Sequence, residues 1–140
     1  MKPTIKVITL GVDDLEQSLA FYRDGLGLPT EGIIGTEFED GAVVFCNMND
    51  DLILALYPRQ ALAKDAQVPL TPPSPSEFSI GHIACSKQEV DAIMQQAQKA
   101  GAHITDHARD RFWGGYSGYF QDPDGHLWEI AWNPAWEVKE

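Results

Sequence analysis

Cysteine, cationic side chains and long apolar runs are all scarce in this chain, and each shortage removes a class of protein. Two cysteines, Cys46 and Cys85, are too few for a disulfide scaffold or a zinc knuckle. Each sits in a strand-like apolar run, which suits a small buried hydrophobe in a reducing compartment. Lys and Arg total 10 against 21 Asp and Glu, for a net charge of -11, and the basic residues form no stripe. A phosphate backbone needs clustered cations to displace its counterions, so nucleic acid is not an expected partner. No apolar run approaches the ~20 residues of a membrane span, and the first residues do not follow the basic-then-apolar layout of a signal peptide. The expectation is a cytoplasmic protein with no membrane partner. A Gly-x-Ser-x-Gly elbow, a Cys with an adjacent His and a glycine-rich phosphate loop are also missing, which leaves hydrolase and nucleotide-binding readings without support.

What remains is a chain of 140 residues, 44% of them apolar, read as a single domain over 1–140 that buries roughly two thirds of its unfolded surface. Ile5–Val12 is a short β-rich run. Asp13, with Glu16 three residues on, is the expected cap of a helix whose apolar face is Leu15, Leu19, Tyr22 and Leu26, ending at Gly25 and Gly27. Three strands follow, separated by turn signals at Asp40-Gly41 and Asn49-Asp50-Asp51, and Pro58 closes them. This first module, about 4–58, reads βαβββ. Residues 59–77, with Pro69, Pro72, Pro73 and Pro75, read as a linker. The pattern then repeats over about 78–134. Phe78–Cys85 is a strand, Ser86 and Glu89 make a capping box, and Val90, Ile93, Met94 and Ala97 give a helix face ending at Gly101. Strands at Ala102–Asp106, Tyr116–Gln121 and His126–Trp132 complete the second βαβββ, the last entered through the turn Asp122-Pro123-Asp124-Gly125.

Setting Val7 against His82, an offset of about 75 residues, aligns the two copies. The fold class is therefore α+β: two βαβββ modules whose mixed sheets each keep one helix-covered and one bare face, the bare faces lining a concave cavity.

The segments TLGVDDLEQSLAFYRDGLGL, GHIACSKQEVDAI and WGGYSGYFQDPDGHLWEIAW carry a resemblance, over essentially the whole chain, to the vicinal oxygen chelate superfamily. This group includes glyoxalase I, extradiol dioxygenases, fosfomycin-modifying enzymes and bleomycin-binding resistance proteins. The resemblance implies a glyoxalase-like fold, a homodimer, and a metal or ligand site in the concave face with ligands from the first and last strand of each module. Carried onto this sequence, those four places hold Val7, Ala55, His82 and Glu129. Val7 and Ala55 coordinate nothing, so His82 and Glu129 are an incomplete metal half-site. A catalytic divalent metal wants three protein ligands, which disfavours a metal cofactor.

Glu129 is a lone carboxylate in an apolar strand, which costs free energy without a partner and marks a site. Alternation places Leu127, Glu129 and Ala131 on one face and Trp128, Ile130 and Trp132 on the other. His82 is expected on the concave side near Glu129, the two forming a catalytic pair. Arg111, Trp113, Tyr116 and Tyr119, with Val7 and Ala55, are the expected pocket walls. Two readings of the aromatic and glycine-rich stretch from Phe112 stay open: a ligand-stacking loop, or a hairpin whose aromatics build the core and whose glycines serve bulges. Asp122 and Asp124 are turn formers. Two functions follow: a binder of a small amphipathic or aromatic molecule without a tightly held metal, or a lyase, isomerase or dioxygenase using Glu129 and His82.

Overall fold

Alternation within the first strand decides how the first half is layered. In the computed structural model, which describes residues 1–136, β1 (Val7–Val12) runs parallel to β4 (Ile53–Pro58). Antiparallel β3 (Val43–Asn47) and β2 (Thr30–Ile34) extend the sheet in the order β1-β4-β3-β2. Leu10, Val12, Val44, Cys46, Leu54 and Leu56 share one face and are at most 3% exposed. They meet the buried Leu19, Phe21 and Tyr22 of the helical segment, each fully buried aliphatic contributing roughly 1.5–3 kcal/mol. That segment is a short α1 (Leu15–Leu19) that widens into a π-helical turn over Ala20–Gly25, where the Leu26 amide donates to the Phe21 carbonyl five residues back. Its cap is Asp14, which accepts from the Gln17 amide at 3.1 Å. The expected cap, Asp13, lies one residue outside and pairs with Arg59 at 3.0 Å.

The expected linker is shorter than 59–77. Arg59–Ala66 forms α2, because RQALAKDA holds strong helix formers and the prolines begin only at Pro69. Gln67, with φ of 56°, ends it in the left-handed conformation. Compact units divide at Pro72/Pro73, within the proline-rich remainder.

The second unit repeats the plan. β5 (Ile80–Ile83) runs parallel to β8 (Leu127–Trp132), and antiparallel β7 (Tyr116–Gln121) and β6 (His103–Asp110) give the order β5-β8-β7-β6. β5 is shorter than expected and β6 longer. α3 (Lys87–Ala100) is capped by Ser86, whose hydroxyl accepts from the Glu89 amide at 3.0 Å, as expected. The Glu89 carboxylate turns back to the Cys85 amide at 3.0 Å and to its thiol. Val90, Met94 and Ala97 of α3 are buried with Phe120, Trp128 and Ile130 of the sheet. Phe120 and Trp128 lie parallel with ring centres 6.1 Å apart. Gly118 leaves no room for a side chain: a Cβ there would stand 2.8 Å from Met94 Cε and 2.9 Å from the Ala108 amide nitrogen. Both units are βαβββ, so the expected α+β architecture of two mixed four-stranded sheets is present. The last four residues of the expected 1–140 domain lie outside the described ones. No helix among the described residues is long and apolar enough to cross a membrane.

Candidate functional site

Strand register settles what faces Glu129. Glu129 pairs with Tyr119 across β7 and with Gly81 across β5, and paired residues on neighbouring strands point to the same side. Ser117, Tyr119, Leu127, Glu129 and Ala131 therefore share the face away from α3. Tyr116, Gly118, Phe120, Trp128 and Ile130 share the helix face, in accord with the alternation expected for β8.

On the helix-free face the polar groups are linked. Tyr119 stands opposite Glu129 across the strands, and its phenol is held above the ordinary tyrosine range, first by burial and then by the negative charge of Glu129. Arg111 lies over the Tyr119 ring at 5.7 Å and is itself pinned. Its Nε donates to the Ser117 hydroxyl at 2.9 Å, and one terminal nitrogen donates to the Ser117 carbonyl at 2.9 Å and to Asp106 Oδ2 at 3.0 Å. Arg109 and Arg111 together hold the Asp106 carboxyl below its ordinary range. Beside Tyr119 and Leu127 opens a recess of about 410 Å³, walled also by Phe78, Ser79 and Thr105. That volume suits a small organic molecule.

The expected pair of Glu129 and His82 is separated. His82 pairs with Ile130, a helix-face residue, so the imidazole lies on the opposite side of the sheet, close enough to Glu89 for its charge to act on that carboxylate. The alignment that joined them was three residues out. The helix caps Asp14 and Ser86 are 72 residues apart, and Thr9 pairs with Ala55 as Gly81 pairs with Glu129. On that spacing Ser79 stands where Val7 stands in the first unit, and His82 where Leu10 does. Tyr116 is also misplaced as a pocket wall: its hydroxyl donates to Asp91 of α3 at 2.6 Å and its ring lies under the Lys87 ammonium. Trp113 sits at the tip of the β6–β7 hairpin, 40% exposed and against Gly115. Tyr119 and Arg111 are gathered with Glu129. Val7 and Ala55 lie on the face of the first sheet turned away from α1. Of the aromatic stretch, Phe120 builds core, as the hairpin reading expects, while Tyr119 walls the recess. Ser79, Thr105, Asp106 and Ser117 went unnoticed in the sequence; the cap-to-cap spacing was the signal that would have placed Ser79.

These residues do not fit a divalent metal. In the second unit the strand places hold Ser79 and Glu129, one carboxylate and no nitrogen donor, and in the first they hold Val7 and Ala55, which coordinate nothing, whereas such an ion requires three good ligands. Among the described residues, Asp122, Asp124 and His126 are a group with metal-type ligand atoms near one another. The Asp122 carboxylate there already accepts the Asp124 and His126 amides and meets His126 Nδ1 at 2.7 Å, as befits a turn former.

A family model described as the Glyoxalase/Bleomycin resistance protein/Dioxygenase superfamily matches residues 4–130. A glutathione transferase FosA from Serratia marcescens is 27% identical over 130 residues, which span 93% of this chain and 81% of that protein. A glyoxalase-related enzyme from Fulvimarina pelagi is similar in structure with a TM-score of 0.85 and 35% identity, over 98% of this chain and 93% of that one. Lactoylglutathione lyase from Agrobacterium tumefaciens matches with a TM-score of 0.70 and 25% identity, over 99% of this chain and 100% of that one.

Proposed function

The chain belongs to the glyoxalase/bleomycin resistance protein/dioxygenase superfamily, and from that premise we propose that it binds a small amphipathic or aromatic molecule on the helix-free face of its second sheet, without a tightly held metal. The observation that carries this is the recess beside Tyr119, where aromatic and aliphatic walls meet hydroxyl groups at the edge of a carboxylate. Phe78 and Leu127 supply apolar contact. Ser79, Thr105 and Tyr119 supply hydrogen-bonding groups that orient a ligand. Arg111 holds Ser117 and the face of Tyr119, so the wall is fixed before a ligand arrives. Two measurements test the reading. Metal analysis of protein purified without added ions or chelator should find well under one ion per chain; about one tightly held Zn, Ni, Mn or Fe per chain would sink it. A fragment screen followed by amide NMR should move the signals of Ser79, Thr105, Tyr119 and Leu127, and a screen whose hits all map elsewhere would remove the recess as the site.

A catalytic reading draws on the cross-strand pairing of Tyr119 with Glu129, which sets a carboxylate base beside a phenol at the recess wall. Under it, Glu129→Gln abolishes turnover with little change in the thermal midpoint, and full activity in that variant would refute it.

A further inference from the structure

We infer that the recess selects by charge: its ligand is neutral or cationic at the end that meets Tyr119 and Glu129, and anionic ligands are excluded. This rests on the binding reading above and adds the chemical class. Hydroxyls and apolar groups wall the recess, and no charged side chain lines it. Glu129 supplies a carboxylate on that face, paired with Tyr119 and two residues along β8 from Leu127, about 7 Å of strand.

No cation among the described residues of the second unit lines the recess to balance it for a ligand. Among the described residues of the second unit the Lys and Arg residues are Lys87, Lys99, Arg109 and Arg111. Lys87 belongs to the helix side, where it pairs with Asp110 at 2.8 Å and sits between the rings of Tyr116 and Trp132. Lys99 is in the last turn of α3. Arg109 and Arg111 share the single Asp106 carboxylate, at 3.3 and 3.0 Å. Arg111 comes nearest, but its side chain is only 12% exposed. Its planar fork cannot turn toward a ligand carboxylate or phosphate without breaking its bonds to Ser117 and Asp106. An anion entering the recess loses its water and meets Glu129 with no cation in the recess wall to replace the solvation. An ammonium or a hydrogen-bond donor meets a carboxylate acceptor instead.

The test uses three probes of one shape: 2-phenylethylamine, 2-phenylethanol and phenylacetate, titrated against the full-length chain and followed by the amide signals of Ser79, Thr105, Tyr119 and Leu127. The amine should bind best and phenylacetate worst, the outer two separated by roughly tenfold, and the gap should shrink at about 0.5 M salt. In Glu129→Gln, shown to be folded by its undisturbed remaining spectrum, the amine and the alcohol should bind alike. Phenylacetate binding as tightly as the amine at this recess would overturn the charge selection while leaving small-molecule binding intact. An amine preference that survives Glu129→Gln would likewise overturn the assignment to that carboxylate. If none of the three moves those signals by about 10 mM, weaker than even a fragment-sized ligand should bind a formed pocket, both this inference and the binding reading fall.

Discussion

The sheet faces turned away from α1 and from α3 are built on one register and carry opposite chemistry. In the first unit Phe45 pairs with Ala55, and Thr9 with Ala55 on the other side. In the second, Tyr119 pairs with Glu129, and Gly81 with Glu129. The exchange of Phe45 for Tyr119 and of Ala55 for Glu129 adds a phenol and a carboxylate together, side by side on neighbouring strands. An added polar group in a sheet is tolerable when its partner arrives with it. The first unit shows the same scaffold with neither group: Ala55 is 1% exposed, beside an apolar Phe45. The backbone therefore positions the site, while two side chains on neighbouring strands give it chemistry.

The most damaging way to break this contrast is to move half of it. Ala55→Glu places a carboxylate in the first sheet without a phenol to receive it, at a position with almost no exposure. Loss of about 4 kcal/mol of unfolding free energy is expected in denaturant melts, through desolvation and overpacking together. Adding Phe45→Tyr should return part of that loss. If Ala55→Glu alone cost less than about 1 kcal/mol, that face would have to offer the carboxylate water or partners, and the asymmetry between the sheets would not be a matter of chemistry.

The helix-covered faces allow a second exchange. Val44 pairs with Leu56 in the first sheet as Gly118 pairs with Ile130 in the second. Val44 is fully buried, whereas at Gly118 even a methyl group would press on Met94 Cε and, less forgivingly, on the backbone of Ala108 and Asp106. Met94 can swing away, but the backbone of the bulged β6 cannot. Gly118→Val should cost about 3 kcal/mol, read as a fall in midpoint denaturant at unchanged slope. A near-neutral result would mean that α3 and β6 relax freely around this position.

Secondary structure, repeat and fold class were legible because caps, turns and alternation are local. Ser86 with Glu89, the Asp122 turn and the alternation of β8 all act within a few residues. Pairing between strands is not local, and there the reading slipped. His82 was matched to Val7 because a histidine in a strand resembles a ligand, yet the facing of β5 is fixed by its hydrogen bonds to β8, 48 residues away in sequence at Ile130. Nothing in SIGHIAC distinguishes its two faces, since Ser, Gly and Ala are small on both. The measure that survives such ambiguity is the distance between helix caps, because each cap is fixed by its own side-chain hydrogen bond. α2 was hidden for a different reason: prolines farther along claimed the whole segment, although Arg59–Ala66 contains none.

The smallest expected effect bears most directly on the site. Burial and Glu129 both raise the Tyr119 pKa, burial more. A raised pKa means that the folded chain holds the phenolic proton more tightly than the unfolded chain, where tyrosine titrates at about 10. Tyr119 thus contributes stability that is complete below that value and is lost as pH rises through the folded pKa. Glu129→Gln removes the charge and leaves the burial, so the tyrosine should titrate lower but still above its ordinary value, and the alkaline loss of stability should begin earlier by a fraction of a pH unit. NMR of ring-labelled tyrosine resolves this residue from the other three. Tyr116 serves as the internal control, because its own pKa is raised from the other side of the sheet, first by its hydrogen bond to Asp91. A shift confined to Tyr119 would establish the phenol and carboxylate as one unit. An unchanged Tyr119 would reduce the second sheet's distinction to a glutamate that happens to stand beside an aromatic ring, leaving it without the coupled pair that the first sheet lacks.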